Sequence, residues 1–283
     1  MIIVVTGPTA SGKTKLSEEL SSKYKLPIIN ADSMQVYKGL DIGTAKVTEE
    51  EKCGVPHFLF DIVDVEDMYT VYDYQKDLRK LLDEYKDRNV IIVGGTGLYL
   101  KSALYNYEFD EETELDTFDD KTNEELFKEV KEKYPELDIH VNNRKRLVRA
   151  LNRDEVKTHK DELLYPAVFI GLTTDRDTLY ERINLRVDKM VKEGLLEEVK
   201  HFYDLGLRSK AIMTGIGYKE LYDYFDGKIT LDESLDLIKQ RSRKYAKRQY
   251  TWFKNQMIVN WIDVDFKDFN NTFNEAIGII ENN

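Results

Sequence analysis

Apolar residues along this chain fall into short runs separated by longer stretches with helical spacing. Ile2-Ile3-Val4-Val5 is the first run and reads as a short buried strand. The same reading predicts strands at Ile2–Thr6, Pro27–Ala31, Val90–Gly94, Ala167–Thr173 and Met257–Ile262. Lys13–Tyr24 places Leu16 and Leu20 on one helical face. Asp175–Lys192, Leu195–Leu205, Gly217–Phe225 and the long stretch Asp232–Lys254 read as further amphipathic helices. This alternation predicts an α/β fold built on a parallel, doubly wound sheet. Residues 105–164 interrupt it with charged, helical segments and no convincing strand, and Tyr165-Pro166 closes the interruption. The expected division is therefore a core of residues 1–104 and 165–283 around a helical insertion domain of residues 105–164. There is no internal repeat and no low-complexity linker.

The first strand runs directly into Gly7-Pro8-Thr9-Ala10-Ser11-Gly12-Lys13-Thr14, which fits G-x-x-x-x-G-K-[ST], and the first helix follows at once. Glycines there let backbone N–H groups close around an anion at the positive end of the helix. Lys13 adds a point charge, and the Thr14 hydroxyl can ligate Mg²⁺. The fold class becomes a P-loop doubly wound parallel sheet with a helical insertion domain.

Bulk properties narrow the class further. At 283 residues and 41% hydrophobic content the chain is an ordinary globular protein with a substantial core. No apolar run reaches membrane-spanning length and the N-terminus does not read as a signal peptide, so the expectation is a cytoplasmic protein with no membrane partner. Cys53 is the single cysteine, too few for an intrachain disulfide. His57, His140, His159 and His201 lack metal-ligand spacing.

A formal net charge of −11 argues at first against a nucleic-acid partner. Its distribution reverses that argument. Acid gathers between Glu108 and Glu125. Base gathers in Arg144, Lys145, Arg146, Arg149 and Arg153, and again from Lys239 through Arg241, Arg243, Lys244, Lys247 and Arg248. Segregated basic patches on an acidic chain still hold a polyanion.

A phosphate loop alone says only that a polyphosphate binds. The strand Val90-Ile91-Ile92-Val93 ends in Gly94-Gly95-Thr96-Gly97, with no acid where an NTPase places its metal-binding aspartate. The strand Pro27–Ala31 does end in an acid, Asp32, which a doubly wound sheet directs toward the phosphate loop across the crevice at the strand ends. A carboxylate there serves to accept a proton from a nucleophile or to orient a metal. A helix cap or turn is the other role open to Asp32 on position alone.

These residues carry a resemblance to the tRNA dimethylallyltransferase family over nearly the whole length. It rests on the phosphate loop, on Asp32-Ser33-Met34-Gln35-Val36-Tyr37-Lys38-Gly39-Leu40-Asp41-Ile42-Gly43-Thr44-Ala45-Lys46, and on Pro56-His57. It continues through Gly94-Gly95-Thr96-Gly97-Leu98-Tyr99, Arg182–Met190, Gly194-Leu195, Gly215–Glu220 and Tyr245–Phe253. The resemblance implies transfer of a dimethylallyl group from dimethylallyl diphosphate to N6 of the adenine 3′ of the anticodon in tRNA. Gly7, Pro8, Thr9, Ala10, Ser11, Gly12, Lys13 and Thr14 would hold the diphosphate with Mg²⁺. Asp32 would align and deprotonate the amine, and Thr9 with the Arg182/Arg186 pair would assist the leaving group. Ser33, Met34, Gln35 and Thr96 would meet the extruded base. Arg146 and Arg149 of the insertion, and Arg241, Lys244 or Tyr245, Arg248 and Trp252 of the long helix, would follow the anticodon stem-loop. A monomer is expected.

The chain departs from the family pattern after Tyr105, where the segment is short and acidic, at Glu136–Asn143, and at Asn152-Arg153-Asp154-Glu155. The rival readings are a P-loop small-molecule kinase, an adenylate isopentenyltransferase on the same core, or a nucleotide-driven switch. Only a macromolecular acceptor requires the insertion and both basic clusters.

Overall fold

The fold is that of a computed structural model, which describes residues 1–52, 54–86, 89–109, 117–152 and 162–282. The described chain divides into two compact units, Met1–Tyr105 with Leu163–Asn283, and Asn106–Glu162. Cys53, Arg153, Asp154, Glu155, His159 and the acidic run 110–116 lie outside the described residues.

In the larger unit the chain runs β1 (Ile2–Thr6), α1 (Lys13–Tyr24), β2 (Ile28–Asn30), β3 (His57–Phe58), α2 (Val71–Glu84), β4 (Val90–Val93) and α3 (Gly97–Leu104). The smaller unit contains α4 (Asn123–Lys133) and α5 (Arg144–Leu151). The larger unit then resumes with β5 (Ala167–Thr173), α6 (Arg176–Lys192), α7 (Leu195–Asp204), α8 (Lys210–Thr214), α9 (Tyr218–Phe225), α10 (Leu231–Gln256), β6 (Asn260–Asp263) and α11 (Phe269–Glu281).

The six strands pair in the order β3-β2-β4-β1-β5-β6, every pair parallel. β1 lies inside the sheet, with Val4 opposite Ile92 on one side and Phe169 on the other. Successive side chains of a strand point to opposite faces, and the core divides accordingly. Ile2, Val4, Ile92 and Phe169 pack with Tyr74 and Leu78 of α2, Leu100 of α3 and Phe253 of α10. Ile3, Val5, Ile91 and Ile170 pack with Leu16 and Leu20 of α1 and Ala276 and Ile280 of α11. Both faces are thus covered by helices, which is why β1, β4 and β5 read as continuous apolar runs.

The helices of residues 176–256 enclose a separate cluster in which Val187, Leu195, Val199, Tyr218 and Ile238 surround Val36 and Leu40. Threonine capping boxes start α2, α4 and α10. Thr70, Thr122 and Thr230 each accept an N–H from the third residue of the helix, whose Asp73, Glu125 or Glu233 carboxylate returns the bond.

All five expected strands are present, with ends moved by up to three residues: Pro27–Ala31 narrows to Ile28–Asn30, and Met257–Ile262 becomes Asn260–Asp263. The edge strand β3 and the helices α2, α3, α8 and α11 come in addition. The chain leaves for the smaller unit and returns beside its own exit, since Tyr105 and Leu163 form an isolated antiparallel bridge and Leu164 N donates to Leu104 O at 2.8 Å. Within the smaller unit Leu126 and Val130 of α4 pack on Leu147 and Ala150 of α5. No described helix is long and apolar enough to cross a membrane.

Gly97 shows how tightly α10 lies over the sheet: a Cβ there would sit 2.0 Å from the Trp252 ring. Gly97→Ala should therefore lower the unfolding free energy by about 1–3 kcal/mol, the usual range for overpacking. A denaturant melt that matches the unsubstituted protein would show instead that Trp252 moves aside at no cost.

Candidate active site

Because every strand runs the same way, the loops after β1, β2 and β4 meet at one edge of the sheet. The loop after β1 is the expected phosphate cradle. Gly12 takes φ +96° to start α1, and Lys13 folds back so that its Nζ donates to Gly7 O at 3.0 Å and Pro8 O at 2.7 Å. The Ser11 hydroxyl is buried in the loop without a hydrogen-bond partner. A buried orphan of this kind inside a phosphate loop calls for an outside oxygen.

The loop after β2 carries Asp32. Its N–H donates to Asn30 Oδ1 at 2.8 Å, and its Oδ1 accepts Met34 N–H at 2.9 Å. The turn therefore occupies one carboxylate oxygen, and no hydrogen bond to Oδ2 occurs among the described residues. Ser33 N donates to Thr96 Oγ1 at 3.0 Å, which ties this loop to the one after β4. Gln35 Nε2 donates to Thr44 O at 3.0 Å.

The loop after β4 has no room for an acid. A Cβ on Gly94 would lie 2.2 Å from the Ala31 carbonyl carbon, so an aspartate cannot stand there without moving β2. On α6, Arg182 Nε donates to Ala10 O at 3.1 Å and its guanidinium stacks 3.7 Å from the Phe266 ring centroid. One turn on, Arg186 donates to Thr44 O at 3.1 Å.

Two cavities open on these loops. The first, about 430 Å³, is lined by Thr9, Lys13, Thr14, Glu18, Arg182 and Arg186 among others, and the second, about 300 Å³, by Ser33, Met34, Met190, Ile216, Tyr218 and Arg248 among others. Thr9, Asp32, Thr44, Arg186 and Tyr245 line both. A chamber lined by Lys13, Arg182 and Arg186 and a second chamber therefore share a wall that contains a carboxylate.

Sequence reasoning missed Gln249, which is only 5% exposed. Its Oε1 accepts Thr9 N–H at 2.8 Å and its Nε2 donates to Gly95 O at 3.0 Å, so one carboxamide of α10 joins the loops after β1 and β4. Neighbouring Tyr245 has its phenol pushed up by burial and by the negative charge of Asp32. Trp252, expected to stack on a base, instead packs against Gly97 and edge-on to Phe253. Arg241 is drawn inward, with NH1 2.5 Å from Oε1 of Glu220, a side chain 1% exposed that also accepts Gly217 N–H. Arg146, Arg149 and Arg248 are exposed.

No cluster of three or more His, Cys, Asp or Glu suited to a metal occurs among the described residues. The donors that fit Mg²⁺ are the Thr14 hydroxyl and the oxygens of a bound phosphate. That set suits an ion which keeps several waters and binds through substrate phosphates.

Fold and site together define a phosphate-loop α/β protein with a two-chambered crevice at its strand ends. A model of the IPP transferase family matches residues 35–256. A tRNA dimethylallyltransferase of Bacillus subtilis is 48% identical over 293 residues, covering 93% of this chain and 90% of its own length. A solved tRNA delta(2)-isopentenylpyrophosphate transferase of Staphylococcus epidermidis superposes with a TM-score of 0.77 at 39% identity, covering 99% of this chain and 98% of that one. A eukaryotic dimethylallyltransferase solved acting on tRNA superposes at 0.81 and 26% identity, covering 98% and 77%. The chain belongs to the IPP transferase family.

Two groups in the first cavity titrate near neutrality. Burial, helped by Arg186 and opposed by Asp32, lowers Lys13 to about 7, while burial, Glu51 and Glu19 raise Glu18 to about 7. An arriving polyanion raises both values, so binding takes up protons and is strongest below pH 7. The affinity of the cavity for diphosphate should fall as pH rises above 7, by up to about tenfold per unit for each proton taken up. Calorimetry in buffers of different ionisation enthalpy reads that uptake directly. Lys13→Arg should remove the lysine share and Glu18→Gln the other; uptake unchanged in both variants would exclude these groups.

Proposed function

We propose that this chain transfers the dimethylallyl group of dimethylallyl diphosphate to N6 of the adenine 3′ of the anticodon in tRNA and releases diphosphate. The observation that carries this reading is the place of Asp32, on the wall between a phosphate-loop cavity and a second one lined by Met34, Met190 and Ile216. Donor and acceptor can enter separate chambers and meet at one carboxylate.

In the reaction, N6 attacks the allylic C1 and the C1–O bond breaks, its electron pair leaving with the diphosphate. The proton lost by nitrogen goes to Asp32. The residues Gly7, Pro8, Thr9, Ala10, Ser11, Gly12, Lys13 and Thr14 receive the leaving group, and Arg182 and Arg186 oppose its developing charge. Mg²⁺ held at Thr14 would neutralise part of that charge. The unpartnered Ser11 hydroxyl supports an oxyanion ligand in the loop.

On the acceptor side, Ser33, Met34, Gln35 and Thr96 surround the base, which must leave its stack to reach the crevice. The unit Asn106–Glu162 offers Arg146 and Arg149 to the stem-loop backbone, and α10 offers Arg248. Arg241 contributes less, because Glu220 already answers its charge. A tRNA acceptor and a lone cysteine fit work in the cytoplasm.

A mass increase of one dimethylallyl group on an anticodon stem-loop, given dimethylallyl diphosphate and Mg²⁺ without ATP, is the expected result. ATP hydrolysis stimulated by tRNA with no mass change would replace this reading with a kinase or switch. Asp32→Ala should slow single turnovers by about 10²–10⁴ and leave diphosphate binding intact, as for a positioned general base.

For the basic residues, Arg146→Gln, Arg149→Gln and Arg248→Gln should each reduce the salt dependence of stem-loop binding by about one unit of slope. Arg241→Gln should change the slope less and lower the melting temperature, since it strands the buried Glu220 carboxylate. Equal slopes for the three exposed arginines and the unsubstituted protein would remove them from the RNA site.

A further inference from the structure

Glu198 lies on α7 and lines neither cavity, yet its carboxylate is the most heavily used acceptor near the crevice. Oε2 accepts Asp41 N–H at 3.1 Å and Ile42 N–H at 2.7 Å, while Oε1 accepts Gly43 N–H at 3.0 Å and the Tyr218 hydroxyl at 2.6 Å. Three successive backbone N–H groups converging on one carboxylate form a concave anion nest, here filled by the protein's own side chain. The nest fixes the loop just before Thr44. The carbonyl of Thr44 is in turn the acceptor for the Arg186 guanidinium at 3.1 Å and for Gln35 Nε2 at 3.0 Å.

We propose that Glu198 is a positioning residue: it holds the loop 41–44 from behind so that the Thr44 carbonyl sets the direction of the Arg186 guanidinium toward the diphosphate. The physical reason is the rigidity of the arrangement. A guanidinium buried beside Lys13 meets like charge, and without a fixed acceptor it would turn away from the phosphate loop. A neutral amide in place of the carboxylate presents only one acceptor oxygen, so half of the four donors lose their partner and the loop is released. The inference rests on the reading of Arg186 as a diphosphate contact.

The test is a double-substitution cycle with inorganic diphosphate and Mg²⁺ as the titrated ligand, beside turnover of a stem-loop. Glu198→Gln is expected to weaken diphosphate binding about tenfold and to lower kcat/KM for the prenyl donor by a similar factor, with stem-loop affinity within about twofold. Tyr218→Phe, which removes one donor of four, should give a smaller loss in the same direction and keeps the test open if Glu198→Gln fails to fold. Arg186→Met should weaken diphosphate binding, and adding either substitution to it should cost nothing further. Additive losses, or unchanged diphosphate affinity in both Glu198→Gln and Tyr218→Phe, would overturn the role of Glu198. Unchanged diphosphate affinity in Arg186→Met alone would instead overturn the reading of Arg186, and the two failures are thereby distinct.

Discussion

The buried carboxamide of Gln249 is the joint on which the crevice depends. Strand ends in a parallel sheet supply loops, and loops by themselves do not hold a glycine-rich loop and a carboxylate at a fixed separation. One side chain of α10 accepts from Thr9 in the first loop and donates to Gly95 in the third. Thr96 then receives the N–H of Ser33, next to Asp32, and so brings in the second. Three loops that are far apart in sequence become one rigid rim, which is the condition for an electrostatic site to act without reorganising. The glycines Gly95 and Gly97 belong to the same joint, since side chains there would collide with Gln249 and Trp252.

Charge is managed locally on a chain whose formal net charge is −11. In the first cavity Lys13, Arg182 and Arg186 face a space that also holds Asp32 and Glu18, so positive charge is concentrated where an anion is expected and is partly balanced before it arrives. Burial lowers Lys13 to about 7, so only part of its charge is present near neutral pH. Glu220, buried on α9, does for the half-exposed Arg241 of α10 what a ligand would otherwise do.

The phosphate loop and the five longer strands were legible because each is a local statement. A glycine-lysine-threonine pattern after a buried run needs no distant partner, and a continuous apolar run reports burial on both faces. Asp32 was legible for a topological reason, its place at a strand end. The strand β3 is two residues, His57 and Phe58, too short to show a period. Helix α2 has a full capping box at Thr70 and Asp73, a signal present in the chain but passed over. Gln249, Glu198 and the inward turn of Arg241 had no local signature. Each draws its meaning from a partner at least 20 residues away, so composition and spacing were silent about them. Trp252 illustrates the same limit: its spacing from Arg248 suited a stacking platform, and Gly97, remote in sequence, made a socket for it.

Where the excursion between α3 and β5 begins and ends, Tyr105 bridges Leu163 and Leu104 pairs with Leu164, so the chain departs and returns through a gap one hydrogen bond wide. The sheet therefore does not sense how many residues lie between those points. Lengthening, shortening or exchanging the excursion leaves the register of β4, β1 and β5 as it was. The stem thereby uncouples the length and charge of the excursion from the geometry of the loops at the strand ends.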